Sequence, residues 1–176
     1  MISDYFKKYS TYYLSRYNVT KKKFENILKR KITKDFFEKK INSKSRSVFL
    51  QEIPLVINHY SKLGLFDEKR LLEITLQSFE KKGYSKKKIR LKIASLGFDP
   101  SSTKNYLNTY LSSEDLEEKL IQNFLNRTKI IDRQKKLNIS DSQLFDNIIL
   151  KLGYHGFDYE LSRNILKKLI FNEHFT

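Results

Sequence analysis

The chain has no cysteine among its 176 residues. Disulfides, thiolate metal sites and a cysteine nucleophile are therefore excluded, and the composition suits a reducing cytosol. Two prolines and five glycines leave little material for tight β turns. No long apolar run is present. The opening MISDYFKKYSTYYLSRYN is broken by charges every few residues, which excludes a signal peptide or a membrane span there. His59, His155 and His174 are unrelated in spacing and lack cysteine partners, so no metal or cofactor is expected. Neither a glycine-rich phosphate loop nor a nucleophile–base pattern is visible, and no small-molecule substrate is implied.

Acidic residues are also short, 20 against 35 Lys and Arg, for a net charge of +15. The excess is graded. Residues 1–66 hold 15 basic and 5 acidic side chains, residues 67–111 hold 10 and 5, and residues 112–176 hold 10 and 10. A field of that sign raises encounter rates with nucleic acid or any acidic surface. A coding bias would leave the same lysine, since Lys outnumbers Arg 27 to 8.

What the chain does have is aromatic and aliphatic residues at helical spacing. Tyr5, Phe6, Tyr9, Tyr12, Tyr13 and Tyr17 make one stripe, read as core or as a stacking platform for single-stranded bases. Phe24, Ile27 and Leu28 follow Thr20, a candidate N-cap. Ile53, Val56, Ile57, Tyr60 and Leu63 make a third stripe, with Pro54 predicting a helix that starts near Glu52 or kinks there. Further stripes continue to Leu169, with stops at Gly83 and Gly97 and an Asp99-Pro100 start signal. About nine short helices and an all-α fold are expected.

The chain also resembles itself. Thr20-Lys21-Lys22-Lys23-Phe24 aligns with Ser85-Lys86-Lys87-Lys88-Ile89, and more weakly with Ser140-Asp141-Ser142-Gln143-Leu144. Gly97-Phe98-Asp99 aligns with Gly156-Phe157-Asp158. The unit is a helix, a Ser/Thr-capped helix, a Gly-Phe-Asp turn and a third helix. That predicts three tandem three-helix repeats over 1–63, 64–111 and 112–176, each too small for a core of its own. Residues 31–47 read as an extended basic connection within the first, and 126–140, with Lys135-Lys136, as a basic stretch in the neutral third.

The series Gly64-Leu65-Phe66-Asp67-Glu68, Lys82-Gly83-Tyr84-Ser85, Lys88-Ile89-Arg90 and Leu96-Gly97-Phe98 resembles the RecX family, bacterial regulators of the RecA recombinase. Gly156-Phe157 resembles the corresponding late segment. Glu68 stands where the family has a second Asp, and Ser85 where it usually has Gly. The resemblance implies tandem three-helix repeats in an elongated, curved arrangement, lying in the groove of the RecA–single-stranded DNA filament. It implies inhibition of recombinase, ATPase and co-protease activity in DNA repair and the SOS response, without chemistry of its own. A cytoplasmic monomer is expected, since the cysteine-free composition suits the cytosol and nothing suggests a coiled coil.

The lysines carry the interface expectation: Lys21, Lys22, Lys23, Lys86, Lys87, Lys88, Arg90, Lys135 and Lys136 facing RecA or DNA phosphate. Such contacts would be sequence-tolerant and salt-sensitive. On the alternative reading Lys87 and Lys88 form a solvated face and Leu91 packs on the next repeat. Asp67-Glu68 reads as helix capping rather than as a catalytic pair. Two other functions fit the same residues: a general basic nucleic-acid-binding module independent of RecA, and a helical adaptor for another protein.

Overall fold

A computed structural model describes residues 2–171. His174 lies outside them. Ten helices and no strand occur among the described residues: α1 (Asp4–Leu14), α2 (Lys21–Phe37), α3 (Ser43–Lys62), α4 (Glu68–Lys81), α5 (Lys86–Ser95), α6 (Pro100–Leu111), α7 (Leu116–Thr128), α8 (Ile130–Lys135), α9 (Asp141–Tyr154) and α10 (Tyr159–Phe171). The chain forms two compact units. One comprises the residues up to Leu72 together with Ala94–Thr103, and the other comprises Glu73–Ile93 with the residues from Lys104 onward.

Start signals act locally and fall where the sequence puts them. Thr20 accepts the Lys23 amide at 3.1 Å, and Ser85 accepts that of Lys88 at 3.3 Å. Asp67 Oδ1 caps α4 through the Arg70 amide, and Asp99 Oδ1 takes the Ser101 amide where Pro100 opens α6. Glycines at positive φ close α3, α4 and α5 at Gly64, Gly83 and Gly97.

In the first unit Phe24, Leu28 and Ile32 recur every fourth residue on α2 and face Ile53, Val56 and Tyr60 of α3. The short connection from Glu38 to Asn42 sets α2 and α3 side by side in opposite directions. Phe6 and Leu14 of α1 close this core. Tyr5 stacks on Phe49 at 4.0 Å between ring centroids.

The second unit is built around Leu120, Ile121 and Phe124 of α7 and Leu144, Ile148 and Leu152 of α9. Ile165 and Leu166 of α10 join them.

Two expectations are corrected, and a tenth helix joins the expected nine or so. Residues 31–47 are not an extended connection: 31–37 finish α2, and 43–47 open α3 behind the Asn42 cap. The third helix does not begin near Glu52 but runs from Ser43 through Pro54. Pro54 lies on the exposed side, where a carbonyl left without its donor can take water instead. The tenth helix arises because Lys129 enters the left-handed region at φ 48° and splits α7 from α8.

Candidate nucleic-acid interface

The lysine triplets sit at two joints built alike. In the first unit Thr20 Oγ1 donates to the Leu96 carbonyl at 2.9 Å, just before Gly97. In the second, Ser85 Oγ donates to the His155 carbonyl at 2.6 Å, just before Gly156. Both hydroxyls are buried, and each also accepts the amide of its triplet's third lysine. A side chain at Gly97 would meet the Lys22 stem, Cβ at 3.1 Å, and one at Gly156 would meet Ser85 Oγ at 3.2 Å and the Lys87 stem at 3.4 Å. The glycine therefore lets the turn approach the cap, and the second lysine covers it. Phe98 and Phe157, next in chain, are buried.

The acidic residues reinforce the joints. Glu68 accepts the Lys21 amide at 2.9 Å and the Asp99 amide at 3.4 Å. Glu117 accepts the Asp158 amide and lies 3.9 Å from Lys86 Nζ, which also donates to the Ser113 carbonyl. Burial pushes the Glu117 carboxyl up, against the pull of the Asp158 amide and the Lys86 charge. Glu68 is thus a cap for amides outside its own helix, while Asp67 caps its own. At Ser140 no lysines follow, and the hydroxyl closes a reciprocal box with Gln143.

The predicted basic residues are therefore not equivalent. Lys86 is held at its joint, and Lys22 is paired with Glu25 at 3.1 Å. Lys21, Lys23 and Lys87 are exposed. Lys88 Nζ stands 4.6 Å from the centre of the Tyr84 ring. Arg90 donates to Asn108 at 2.9 Å and is exposed. Lys135 ends α8 and Lys136 caps it, both exposed. Lys21–Lys23 belong to the first unit, and the remaining basic candidates belong to the second. Ile89 is fully buried. Leu91 does not pack on a following element. It is 65% exposed, on the same side of α5 as Lys87, so this face is open.

Most of the tyrosine stripe is structural. Tyr5, Tyr9 and Tyr13 are half-buried, and burial raises all three phenols above their ordinary range. Tyr12 and Tyr17 are more than half exposed, with the Arg16 guanidinium 4.1 Å over the Tyr12 ring.

Spacing did not single out Arg127, Lys151 or His155, which lie with Lys88 in the neighbourhood of the second joint. Burial, then the charges of Lys88, Lys151 and Arg127, hold the His155 imidazole below its ordinary range. Its ring packs on Phe124 at 4.7 Å. The sequence signal was indirect: only the match of Gly156 to Gly97 indicates that residues near 155 return to residues near 85.

Away from these groups, a cavity of about 690 Å³ is lined by Leu125, Ile131 and Ile165 together with Glu118, Lys129 and Lys168. It holds none of the predicted residues. Among the described residues no three potential ligands cluster to hold a metal, and no helix is long and apolar enough to cross a membrane. No protein-family model, no curated protein and no solved structure matches the chain.

Proposed function

We propose that the chain is a non-enzymatic modulator of RecA, similar to the RecX family, which binds the RecA–single-stranded DNA filament and lowers its activity. The observation that carries the reading is the twice-built joint: a buried Thr20 or Ser85 hydroxyl, a lysine triplet, and an incoming Gly-Phe-Asp turn. It supports reading α1–α3, α4–α6 and α7–α10 as tandem three-helix repeats, with α7 and α8 standing for one broken helix. The residues that resemble the family, Gly64, Asp67, Glu68, Gly83, Gly97 and Gly156, are those that shape the turns and caps of this arrangement. Tandem helical modules present extended surfaces suited to a filament rather than a pocket suited to a substrate. The open basic face at Lys87 and Arg90 suits an acidic partner.

A second reading, a general polyanion-binding module, draws on the same exposed lysines. It needs no RecA.

Titration into the cognate RecA assembled on single-stranded DNA, at moderate salt, separates the two. ATP hydrolysis is expected to fall at protein-to-DNA ratios too low to coat the strand. Loss of hydrolysis only once the DNA is saturated would instead mean competition for phosphate, and the RecA reading would fail.

A further inference from the structure

Where α5, α7 and α9 meet in the second unit, cations gather without an acid among them. Ser85 ties the start of α5 to the His155 carbonyl, which places Lys88 beside the end of α9. Phe124 packs its ring on His155, and one turn later Arg127 donates from Nε to the Lys82 carbonyl at 2.8 Å. Lys151 lies one turn before His155 on α9. Among the described residues, none of Lys88, Arg127 and Lys151 pairs with a carboxylate. The carboxylates past Gly156, Glu117 and Asp158, are held at the start of α10 with Lys86. Elsewhere in the chain many lysines are paired, Lys29 with Glu25, Lys31 with Asp35 and Lys119 with Glu80.

An unmatched cationic cluster around a half-buried imidazole repels itself unless an anion joins it. Arg127 supplies a planar fork, Lys88 and Lys151 supply point charges, and His155 supplies a ring that can gain a proton. All are suited to phosphate oxygens and none to a base edge. The exposed Lys87, whose stem lies at the Gly156 turn next to His155, extends the positive charge beyond the cluster, which a strand would follow and a single free phosphate would not.

We propose that Lys88, Arg127, Lys151 and His155 form a cradle for a backbone phosphate of single-stranded nucleic acid. The proposal rests on the reading above, that the partner of this chain contains such a strand, and it names the side chains that touch it. Protonation follows from the geometry. Burial first, then the charges of Lys88 from α5, Lys151 from α9 and Arg127 from α7, disfavour the imidazolium in the free protein. A bound phosphodiester reverses that sign, so binding takes up a proton and strengthens as pH falls.

The test uses the full chain and a fluorescent polythymidine oligonucleotide. Wild type is expected to bind, and the double variant Arg127→Gln/Lys151→Gln to bind about tenfold or more weaker, with a salt slope reduced by about one. In wild type, NMR of the His155 ring should show its titration moving up by about one unit or more when oligonucleotide is added. Affinity should then rise up to about tenfold per unit of that shift between pH 7.5 and 5.5. Failure of wild type to bind, equal affinity and salt slope in the variant, or a His155 titration unmoved by saturating oligonucleotide would each overturn the cradle. Millimolar inorganic phosphate displacing the oligonucleotide would assign the site to free phosphate and overturn it too. The RecA titration is independent: oligonucleotide binding without any effect on RecA hydrolysis leaves the cradle standing and removes only the RecA reading.

Discussion

Gly83→Ala is expected to destabilise the second unit by about 3 kcal/mol or more, and to lower its melting temperature by roughly 10 °C. Two effects add. Gly83 has φ +59°, a conformation that costs an L side chain about 1 kcal/mol or more. A methyl group there would also lie 2.5 Å from Phe124 Cα, and closer still to the Phe124 amide nitrogen. That neighbour is helix backbone and has no flexible end to swing away. Two other glycines separate the causes. Gly64 has φ +72° with nothing within 4 Å of the added carbon, so Gly64→Ala should cost only about 1 kcal/mol. Gly153 lies inside α9 at ordinary helical φ with open space around it, so Gly153→Ala should stabilise by about 0.5–1 kcal/mol. Thermal or urea unfolding of the three variants checks the order. Equal costs at Gly83 and Gly64 would mean that α4 and α7 do not approach as described.

The same contrast explains what the sequence could reveal. Signals that act within a few residues were legible: Thr20, Ser85 and Asp99 as caps, the glycine turns, and the helical stripes. Their geometry is completed by the backbone beside them. The joints were half legible, because Gly97 and Gly156 repeat visibly while the hydroxyls that bond the carbonyls just before them lie 70 or more residues away. Lys129 gave no sign of breaking a helix, since a lysine in the left-handed region has no composition signal. Leu91 looked like packing material because apolar residues usually are, but it stands 65% exposed. The cationic cluster was invisible. Lys88, Arg127 and Lys151 come from three helices, and each alone is an ordinary surface charge.

Residues 31–47 show most clearly how tertiary context overrides pattern. Ile32 continues the stripe of Phe24 and Leu28, but the next core position is Asp35, and lysines surround it. An acid at a buried position argues against a helix unless partners are supplied, and here they come from two helices. Lys31 Nζ lies 2.7 Å from Asp35 one turn away, and Tyr5 Oη donates at 2.7 Å from α1. Lys31 also stands 4.7 Å and 4.9 Å from the ring centres of Tyr5 and Tyr9. The carboxylate therefore ties α1 to α2 where the aromatic residues of α1 meet the core.

Asp35→Ala should accordingly be severe, costing about 2–4 kcal/mol at pH 7, because it leaves a half-buried ammonium and a phenol without their acceptor. Tyr5→Phe should cost about 1 kcal/mol, since only one hydrogen bond goes and the Phe49 stack remains. The pH dependence distinguishes lost charge from lost packing. Burial opposes ionisation of Asp35, but the Lys31 and Tyr5 hydrogen bonds outweigh it and hold the carboxyl below its ordinary value of 3.8. A depressed folded pKa gives stability that is full above the unfolded value and is lost as pH falls through the folded one. The gap between wild type and Asp35→Ala should therefore be constant from pH 7 to about 5 and narrow below 3.8. Urea midpoints across that range measure it. A gap that persists unchanged into strong acid would mean that Asp35 holds α1 and α2 together by shape, and that its charge contributes nothing.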